Sequence, residues 1–268
     1  MATTVISFNL RDFKGQVKLA DAHSDVVRAI QKELNRIGYS LVEDGIPGLH
    51  TLAAFAQFKK EHFLSEVNTI GETTVKILLE TEVSKFLVAS DYVRAAKQLG
   101  VEVAMIKAVT DVEAAGRGFF SDGRPKILFE RHIFYKYSKV PVSQYRPDLS
   151  NPNSGGYVGG VGEYNRLNAA MQYDRIAALE SASWGLGQVM GFNYETCGYS
   201  DVESFVSAMK VSEGKQLLAM MTYIKNVSQL FKAMKCKNWA TFAQLYNGPL
   251  YKRNNYDVKL ANAYGRYA

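Results

Sequence analysis

Residues 101–113 read VEVAMIKAVTDVE, and this stretch decides how the larger part of the chain folds. Its apolar positions recur every three or four residues, as on one face of an α-helix: Met105, Ala108, Val109 and Val112. Glu113 follows Val109 by four residues, so its carboxyl extends the apolar side. Asp111 points about 200° away around the helix. Gly116 is predicted to end the helix.

The position of Glu113 has an electrostatic consequence. A carboxylate on an apolar face loses hydration, which raises its pKa, and the negative potential at a helix C-terminus raises the pKa further. Both effects favour a carboxyl that is protonated near neutral pH, the state that a general acid needs. The alternative is a Glu113 side chain that swings out into solvent at the helix end.

The rest of the chain also reads as mainly α-helical. Three short helices are predicted near the N-terminus, from Ser24 to Gly38, from Leu49 or Thr51, and from Thr73. They form a small three-helix bundle, and a larger α-helical domain follows. A polar stretch at 81–84 marks the boundary, so the predicted domains are 1–82, with a core at 24–80, and 83–268.

Composition excludes several classes of protein. A hydrophobic fraction of 47% and a charged fraction of 22% are ordinary for a globular protein, and they exclude a disordered chain, collagen or a coiled coil. Two cysteines in 268 residues exclude a disulfide-dense scaffold. No apolar run approaches the roughly 20 residues that span a bilayer. The first 15 residues lack a basic segment followed by an apolar one, so no secretory signal is predicted.

Charge is unevenly distributed along the chain. The net charge is +6, and residues 1–80 contain nine basic and ten acidic side chains, so the excess of positive charge lies in 81–268. A polyanionic partner, either nucleic acid or a bacterial envelope polymer, would be drawn to that part. The excess charge equally suits a solubilising surface.

The larger part of the sequence lacks the residues that most catalytic mechanisms need. The larger part contains a single histidine, His132, and there is no HExxH or CxxC pattern, so no metal or other cofactor is predicted. Cys197 and Cys236 have no activating signature and are predicted to be buried structural cysteines. Neither a phosphate-binding GxxxxGK[ST] loop nor a GxSxG nucleophile elbow is present. Carboxylate chemistry remains.

Residues 24–80 resemble the type-1 peptidoglycan-binding module, a three-helix bundle. The most specific match is the turn Asp44-Gly45-Ile46-Pro47-Gly48 followed by Thr51. Further matches have the usual spacing: Val27, Ile30, Gln31, Leu34, Gly38, Tyr39, Phe58, Gly71, Thr74 and Leu78. The chain departs from the family at Pro47 and at Lys59, where glutamine is usual. The resemblance implies that this domain binds the bacterial wall.

Residues 90–268 resemble the phage N-acetylmuramidase family, enzymes related in style to goose-type lysozymes and soluble lytic transglycosylases. Five runs match in order: 106–119, 123–132, 155–157 with 163–164, 183–191 and 246–249. The resemblance implies a lysozyme-like domain that cleaves the β-1,4 bond between N-acetylmuramic acid and N-acetylglucosamine. The glutamate of the Glu-x-x-Gly run, Glu113, would be the catalytic acid.

The same resemblance implies that Gln188, Tyr246 and Asn247 bind substrate. Gln188 lies in a glycine-rich run whose backbone can approach a sugar, and its amide both donates and accepts hydrogen bonds. The alternative is a turn that packs Trp184, itself predicted to be core. For Tyr246 and Asn247 the alternative is a helix end before a proline.

Glu130 is a further candidate for the substrate site. It is either a second carboxylate in the cleft or an ion-paired partner of Arg131 or Arg124; Asp122 and Glu180 are other candidates for that carboxylate. The glycine-rich loop 154–162 either folds over the glycan or is a surface excursion.

The resemblance also implies a biological setting. A phage endolysin would be made in the host cytoplasm and would need a separate pore-forming protein to reach the wall. Its partner would be peptidoglycan, with no nucleic acid, no membrane insertion and a monomeric chain. Three alternatives stay open: a lytic transglycosylase, a non-catalytic wall-binding or virion protein, and a glycosidase acting on chitin.

Overall fold

The computed structural model describes residues 8–268 except 40, 66, 82, 83, 115 and 250. The chain folds into two compact units, Met1–Val83 and Ser84–Ala268. Helices dominate both units, which confirms the predicted mainly-α fold class. The predicted domain boundary falls on Glu82 and Val83, outside the described residues, and stays a prediction.

Within the described residues, the smaller unit contains three α-helices: α1 (Ser24–Arg36), α2 (Leu49–Glu61) and α3 (Glu72–Glu80). Each begins at or within one or two residues of its predicted start. Their apolar faces form a single core in which the largest wholly buried side chains include Ile30, Leu34, Phe55, Phe58 and Leu78. Burying such a side chain contributes roughly 1.5–3 kcal/mol, so these faces hold the bundle together.

A small antiparallel sheet, which the sequence did not indicate, joins the bundle. Strand β1 (Gln16–Lys18) pairs with β2 (Thr69–Gly71), and Val17 lies opposite Ile70. Three residues are too few to show the period-two alternation by which a strand is recognised. The sheet fixes the chain immediately before α3.

The turn at 44–48 is held by Gln31 of α1. The buried Gln31 amide donates to Asp44 Oδ1 (2.9 Å) and to the Ile46 carbonyl (3.1 Å), and it accepts from the Gly45 N–H (2.8 Å). Gly45 has φ +77°, and a Cβ there would lie 2.6 Å from the Ser24 carbonyl oxygen. The turn therefore requires glycine at this position.

The larger unit is built from ten helices within the described residues: α4 (Ala89–Leu99), α5 (Val103–Glu113), α6 (Arg131–Tyr137), α7 (Glu163–Met171), α8 (Arg175–Glu180), α9 (Val202–Met209), α10 (Glu213–Asn226), α11 (Ser228–Lys235), α12 (Trp239–Asn247) and α13 (Tyr256–Tyr267). Helix α5 packs against α13 and α4, and Ile106 and Val109 are wholly buried. In the part of the chain that the structure describes, no helix has the length and apolar character needed to cross a bilayer.

A three-stranded antiparallel sheet interrupts the helices. Strand β4 (Ala182–Trp184) lies between β3 (Ile127–Phe129) and β5 (Val189–Met190). The register places Ile127 opposite Trp184. Trp184 is buried, and its Nε1 donates to the Leu179 carbonyl (3.1 Å), so its predicted core position is confirmed. The β4–β5 turn presents residues 185–188.

Candidate active site

Glu113 is the last residue of α5. Val109, one turn earlier, is wholly buried, and Glu113 itself is half-buried. The helix ends before the predicted stop at Gly116, which has φ +114°. The carboxyl therefore lies where the apolar face of α5 ends, as the spacing predicts, and does not swing out into solvent.

Burial sets the acidity of this carboxyl. It raises the pKa of Glu113 to about 7, and a hydrogen bond from the Asn247 amide lowers it by a smaller amount. Asn247 Nδ2 lies 2.8 Å from Glu113 Oε1. Loss of hydration disfavours the charged form of a carboxyl, so the protonated form of Glu113 is well populated at neutral pH.

The hydrogen bond also places the proton. Because Asn247 donates to Oε1 of Glu113, that oxygen acts as an acceptor. In a neutral carboxylic acid the other oxygen carries the hydrogen. The hydrogen bond from the Asn247 amide therefore favours a Glu113 proton on Oε2.

Tyr246 and Asn247 reach the acid from the end of α12. The Tyr246 ring stacks on Phe242 with 5.7 Å between centroids, and its hydroxyl donates to the Gly187 carbonyl (3.2 Å). Burial, and the nearby charge of Glu113, raise the pKa of Tyr246 well above its ordinary value. The structure thus brings together Glu113, Tyr246, Asn247 and the β4–β5 turn.

Gln188 lies in that turn with its backbone at φ +47°. Its side-chain amide Nε2 donates to the carbonyls of Gly185 (2.8 Å) and Lys126 (3.2 Å), and its Oε1 accepts from the Ser183 hydroxyl (2.9 Å). The residue is exposed, but its amide is engaged in holding the turn. Its direct hydrogen bond to a sugar stays a prediction.

Glu130 has different partners from those expected. The Tyr157 hydroxyl donates to Glu130 Oε2 (2.8 Å), and His132 Nδ1 lies 3.1 Å from the same oxygen. Arg131 instead donates to the carbonyls of Asn153 and Ser154. Arg124 pairs with Asp122. The predicted pairing of Glu130 with Arg131 or Arg124 is therefore wrong, and Tyr157 of the glycine-rich loop contacts this carboxylate instead.

Glu130 also lies away from the β4–β5 turn. Lys126, which contacts that turn, precedes β3, and Glu130 follows the strand four residues later, roughly 13 Å along it. Asp122 is occupied by Arg124 at 2.6 Å, and burial together with Asp174 raises the pKa of Glu180. Within the described residues, no hydrogen bond joins Glu113 to Glu130, Asp122 or Glu180.

Two residues of α10 that the sequence analysis missed hold the chain on both sides of the site. Glu213 Oε1 accepts from the Gly118 N–H (2.7 Å), and Gln216 Oε1 accepts from the Leu186 N–H (2.8 Å). Both side chains are buried. They therefore fix the segment after Glu113 and the β4–β5 turn to the same helix.

Close packing accompanies these hydrogen bonds. A Cβ at Gly118 would lie 1.8 Å from Gln216 Oε1, and a Cβ at Gly185 would lie 2.5 Å from Gln216 Cδ. The available signal was a pair of polar residues three apart, Glu213 and Gln216, on the core side of an apolar helix. Buried polar groups at that spacing need partners, and here the partners are backbone amides.

Glu163, also missed as a structural residue, anchors the glycine-rich loop. Its Oε1 accepts from the N–H groups of Val158 (2.7 Å) and Gly159 (2.9 Å), and its Oε2 accepts from Phe129 N (3.1 Å) and Arg166 Nη1 (2.8 Å). Burial alone would raise the pKa of Glu163, but these hydrogen bonds together lower it. One end of the loop is thereby tied to strand β3.

The cysteines and the other residue types that can bind metal also bear on the predictions, within the part of the chain that the structure describes. Cys197 is buried, and burial raises the pKa of its thiol to about 12. Cys236 is exposed because it follows the end of α11, so its predicted burial is wrong. No group of three or more His, Cys, Asp or Glu side chains among the described residues is arranged to hold a metal ion.

Comparisons with known proteins place the chain in a family. The family model of the N-acetylmuramidases matches residues 102–268. Among solved structures, the chain is similar to the crystal structure of Burkholderia AP3 phage endolysin, with 40% sequence identity over 95% of this chain and 98% of that chain and a TM-score of 0.67. A search of curated proteins gives no significant match. The chain belongs to the N-acetylmuramidase family.

Proposed function

We propose that the chain is a phage endolysin that degrades peptidoglycan by cleaving the β-1,4 bond between N-acetylmuramic acid and N-acetylglucosamine, with Glu113 as general acid. One observation carries the proposal. The Glu113 carboxyl, whose pKa burial raises to about 7, is held by Asn247 beside the β4–β5 turn. A similar phage endolysin and the family model support the substrate class.

The geometry gives each residue a part in the reaction. Glu113 Oε2 delivers its proton to the bridging oxygen as positive charge develops on the sugar ring. Glu113 then becomes a carboxylate, and the hydrogen bond from Asn247 to Oε1 is stronger in that charged state. Tyr246 holds the neighbouring turn through Gly187, which keeps Gln188 at the edge of the site.

The group that captures the anomeric carbon distinguishes two outcomes. A water molecule gives a hydrolase, whereas the muramoyl 6-hydroxyl gives a lytic transglycosylase with an anhydro product. Glycosidases with paired catalytic carboxyls hold them roughly 5–10 Å apart.

Mass spectrometry of the muropeptides released from purified sacculi tests both parts of the proposal. We expect disaccharide peptides that end in N-acetylmuramic acid. Products lighter by one water would instead identify a transglycosylase. Products that end in N-acetylglucosamine would contradict the assigned bond, and the absence of any release would favour a non-catalytic wall-binding protein.

The pH dependence of lysis follows from the state of Glu113. The acid works only while protonated, and its pKa is raised to about 7, so the rate of lysis should fall about tenfold per pH unit above that value. Replacing Asn247 with alanine removes the hydrogen bond that lowers the pKa of Glu113. In N247A the alkaline limb of the pH profile should therefore move to higher pH, even though the maximal rate falls.

Initial rates on sacculi between pH 5 and pH 9 measure this shift. N238A is a matched control, because Asn238 caps the other end of the same helix by accepting from the Thr241 N–H. That variant should keep the wild-type profile. An alkaline limb of N247A at or below the wild-type position would contradict the assigned hydrogen bond.

The proposal also assigns a function to the smaller unit. We infer that residues 1–82 bind the wall and that residues 83–268 cleave it, as a monomer acting on peptidoglycan. The support is the resemblance at residues 24–80 and the buried Gln31, which holds the matching turn. The chain would be made in the host cytoplasm and would reach its substrate through a separate pore-forming protein.

A further inference from the structure

The smaller unit contains a pocket of about 400 Å³ with both polar and apolar lining. It lies between the last turn of α2, the segment before β2 and the first turn of α3, and its lining includes Lys59, Ser65, Glu72, Thr73 and Thr74. Pockets of this size accept small molecules or one end of a larger ligand. The residues that line it differ from the turn at 44–48, which carries the family resemblance.

Lys59 contributes a buried ammonium group to this pocket. The residue is 3% exposed. Its Nζ donates to the carbonyls of Val67 (2.5 Å) and Thr69 (3.0 Å), which leaves one of three N–H donors, and no carboxylate lies within 4.0 Å of it among the described residues. Burial lowers the pKa of Lys59. Because no described carboxylate pairs with Lys59, an anionic ligand would stabilise this buried cation.

The start of α3 adds two further features that suit an anion. Gly71, the N-cap residue of α3, provides no side chain to cap the first turn, and the residues of that turn line the pocket. Thr74 is 5% exposed, and its hydroxyl makes no hydrogen bond to another described residue. Thr74 lines the pocket, and its hydroxyl can donate a hydrogen bond to a ligand there.

Glu72 adds a negative charge to the pocket lining. Its Oε1 accepts from the Gly15 N–H (3.0 Å), and the carboxylate lies on the same lining as Lys59 without pairing with it. A ligand that carried only negative charge would be repelled by Glu72. A ligand with a carboxylate and an ammonium on the same carbon matches both charges of the lining.

We propose that this pocket binds the zwitterionic end of a wall peptide, an α-amino carboxylate, with the carboxylate at Lys59, Thr74 and the start of α3 and the amine at Glu72. The inference rests on the proposed wall-binding function of this unit. It adds the peptide, rather than the glycan, as the part of the wall that the unit recognises.

Isothermal titration of the full chain tests the pocket. The probe is a synthetic stem tetrapeptide without sugar, L-Ala-γ-D-Glu-meso-diaminopimelate-D-Ala, whose diaminopimelate has a free zwitterionic end. We expect the wild-type chain to bind it. Lysine in place of diaminopimelate removes the carboxylate of that end, and N-acetylation blocks its amine, so each modified peptide should bind at least about tenfold more weakly.

Variants of the lining provide the second comparison. K59Q should weaken binding of the diaminopimelate peptide about tenfold, and T74V, which keeps the side-chain shape, about threefold or more. K60Q is the matched control, because Lys60 is exposed, lies outside the pocket lining and makes the same change in charge. It should bind like the wild-type chain. T74V keeps the test decisive if loss of Lys59 disturbs the segment before β2.

Three results would overturn the pocket. They are no binding of the diaminopimelate peptide by the wild-type chain, equal binding of all three peptides, and full affinity in both K59Q and T74V. Release of muropeptides from sacculi is measured in parallel on the same preparation. A chain that cleaves sacculi but fails these titrations would refute the pocket alone, whereas a chain that releases nothing would refute the proposed enzymatic function.

Discussion

Replacement of Glu113 by glutamine should abolish lysis of outer-membrane-stripped cells, with a fall in rate of about 10²–10⁴-fold. Glutamine keeps the size of the side chain and can still accept from Asn247, but it has no acidic proton to give to the bridging oxygen. Turbidity loss and release of muropeptides from sacculi measure the effect. The variant should still bind sacculi, since the smaller unit is unchanged.

D111N is the matched control for this experiment. Asp111 lies on the same helix two residues earlier, is exposed, and accepts from the Tyr267 hydroxyl (2.6 Å) on the side away from Asn247. Its lytic rate should stay within about twofold of the wild-type rate, because it loses only a surface interaction. Equal lysis by wild type and E113Q would refute Glu113 as the acid.

E113Q should also be more stable than wild type at alkaline pH. The pKa of Glu113 is raised to about 7 in the folded chain, above its ordinary value of 4.5. Below pH 4.5 the carboxyl is neutral in both the folded and the unfolded chain, so it costs no stability. As pH rises from there through 7, the unfolded chain ionises first and the free energy of unfolding falls. At pH 8, E113Q should unfold with a free energy about 1–3 kcal/mol higher than wild type, a range discounted for partial exposure. At pH 4 the difference should vanish.

Regular periodicity made much of this site predictable. The four-residue spacing of Val109 and Glu113 placed a carboxyl at the edge of an apolar helical face, and the structure shows it there with a raised pKa. The burial of Trp184 followed from its apolar character in a glycine-rich run. Such inferences succeed because helix geometry is local and depends on residues close in sequence.

The interactions that sequence could not predict join distant segments. Glu213 contacts Gly118 across 95 residues, and Tyr157 contacts Glu130 across 27. A charge pattern along the chain does not reveal which backbone amide or hydroxyl a carboxylate will meet. For Glu130 the adjacent arginine was the natural expectation, but Arg131 donates instead to the carbonyls of Asn153 and Ser154. The short strands β3–β5 were missed for a related reason, since two or three residues show no alternation.

Replacement of Glu163 by alanine should produce the largest loss of stability in the larger unit. Glu163 is wholly buried and accepts four hydrogen bonds, one of them from the buried guanidinium of Arg166. Alanine would remove the carboxylate that pairs with Arg166, which keeps its hydrogen bonds to the Phe129 and Asp148 carbonyls, and would leave three backbone N–H groups without this acceptor. Removing one partner of a buried ion pair typically costs about 3–5 kcal/mol, which corresponds to a fall in Tm of roughly 10 °C.

Thermal unfolding followed by circular dichroism measures this loss of stability, and two further variants serve as comparisons. E163Q keeps one oxygen acceptor and should lie between alanine and wild type. E203A removes the partner of Arg175 from an exposed ion pair and should change the free energy of unfolding by less than about 1 kcal/mol.

Because the pKa of Glu163 is lowered in the folded chain, its contribution to stability is present above its ordinary pKa and is lost as pH falls through the folded value. The gap between wild type and E163A should therefore narrow at low pH. A gap that stays within about 1 kcal/mol at neutral pH would show that the glycine-rich loop does not depend on this carboxylate.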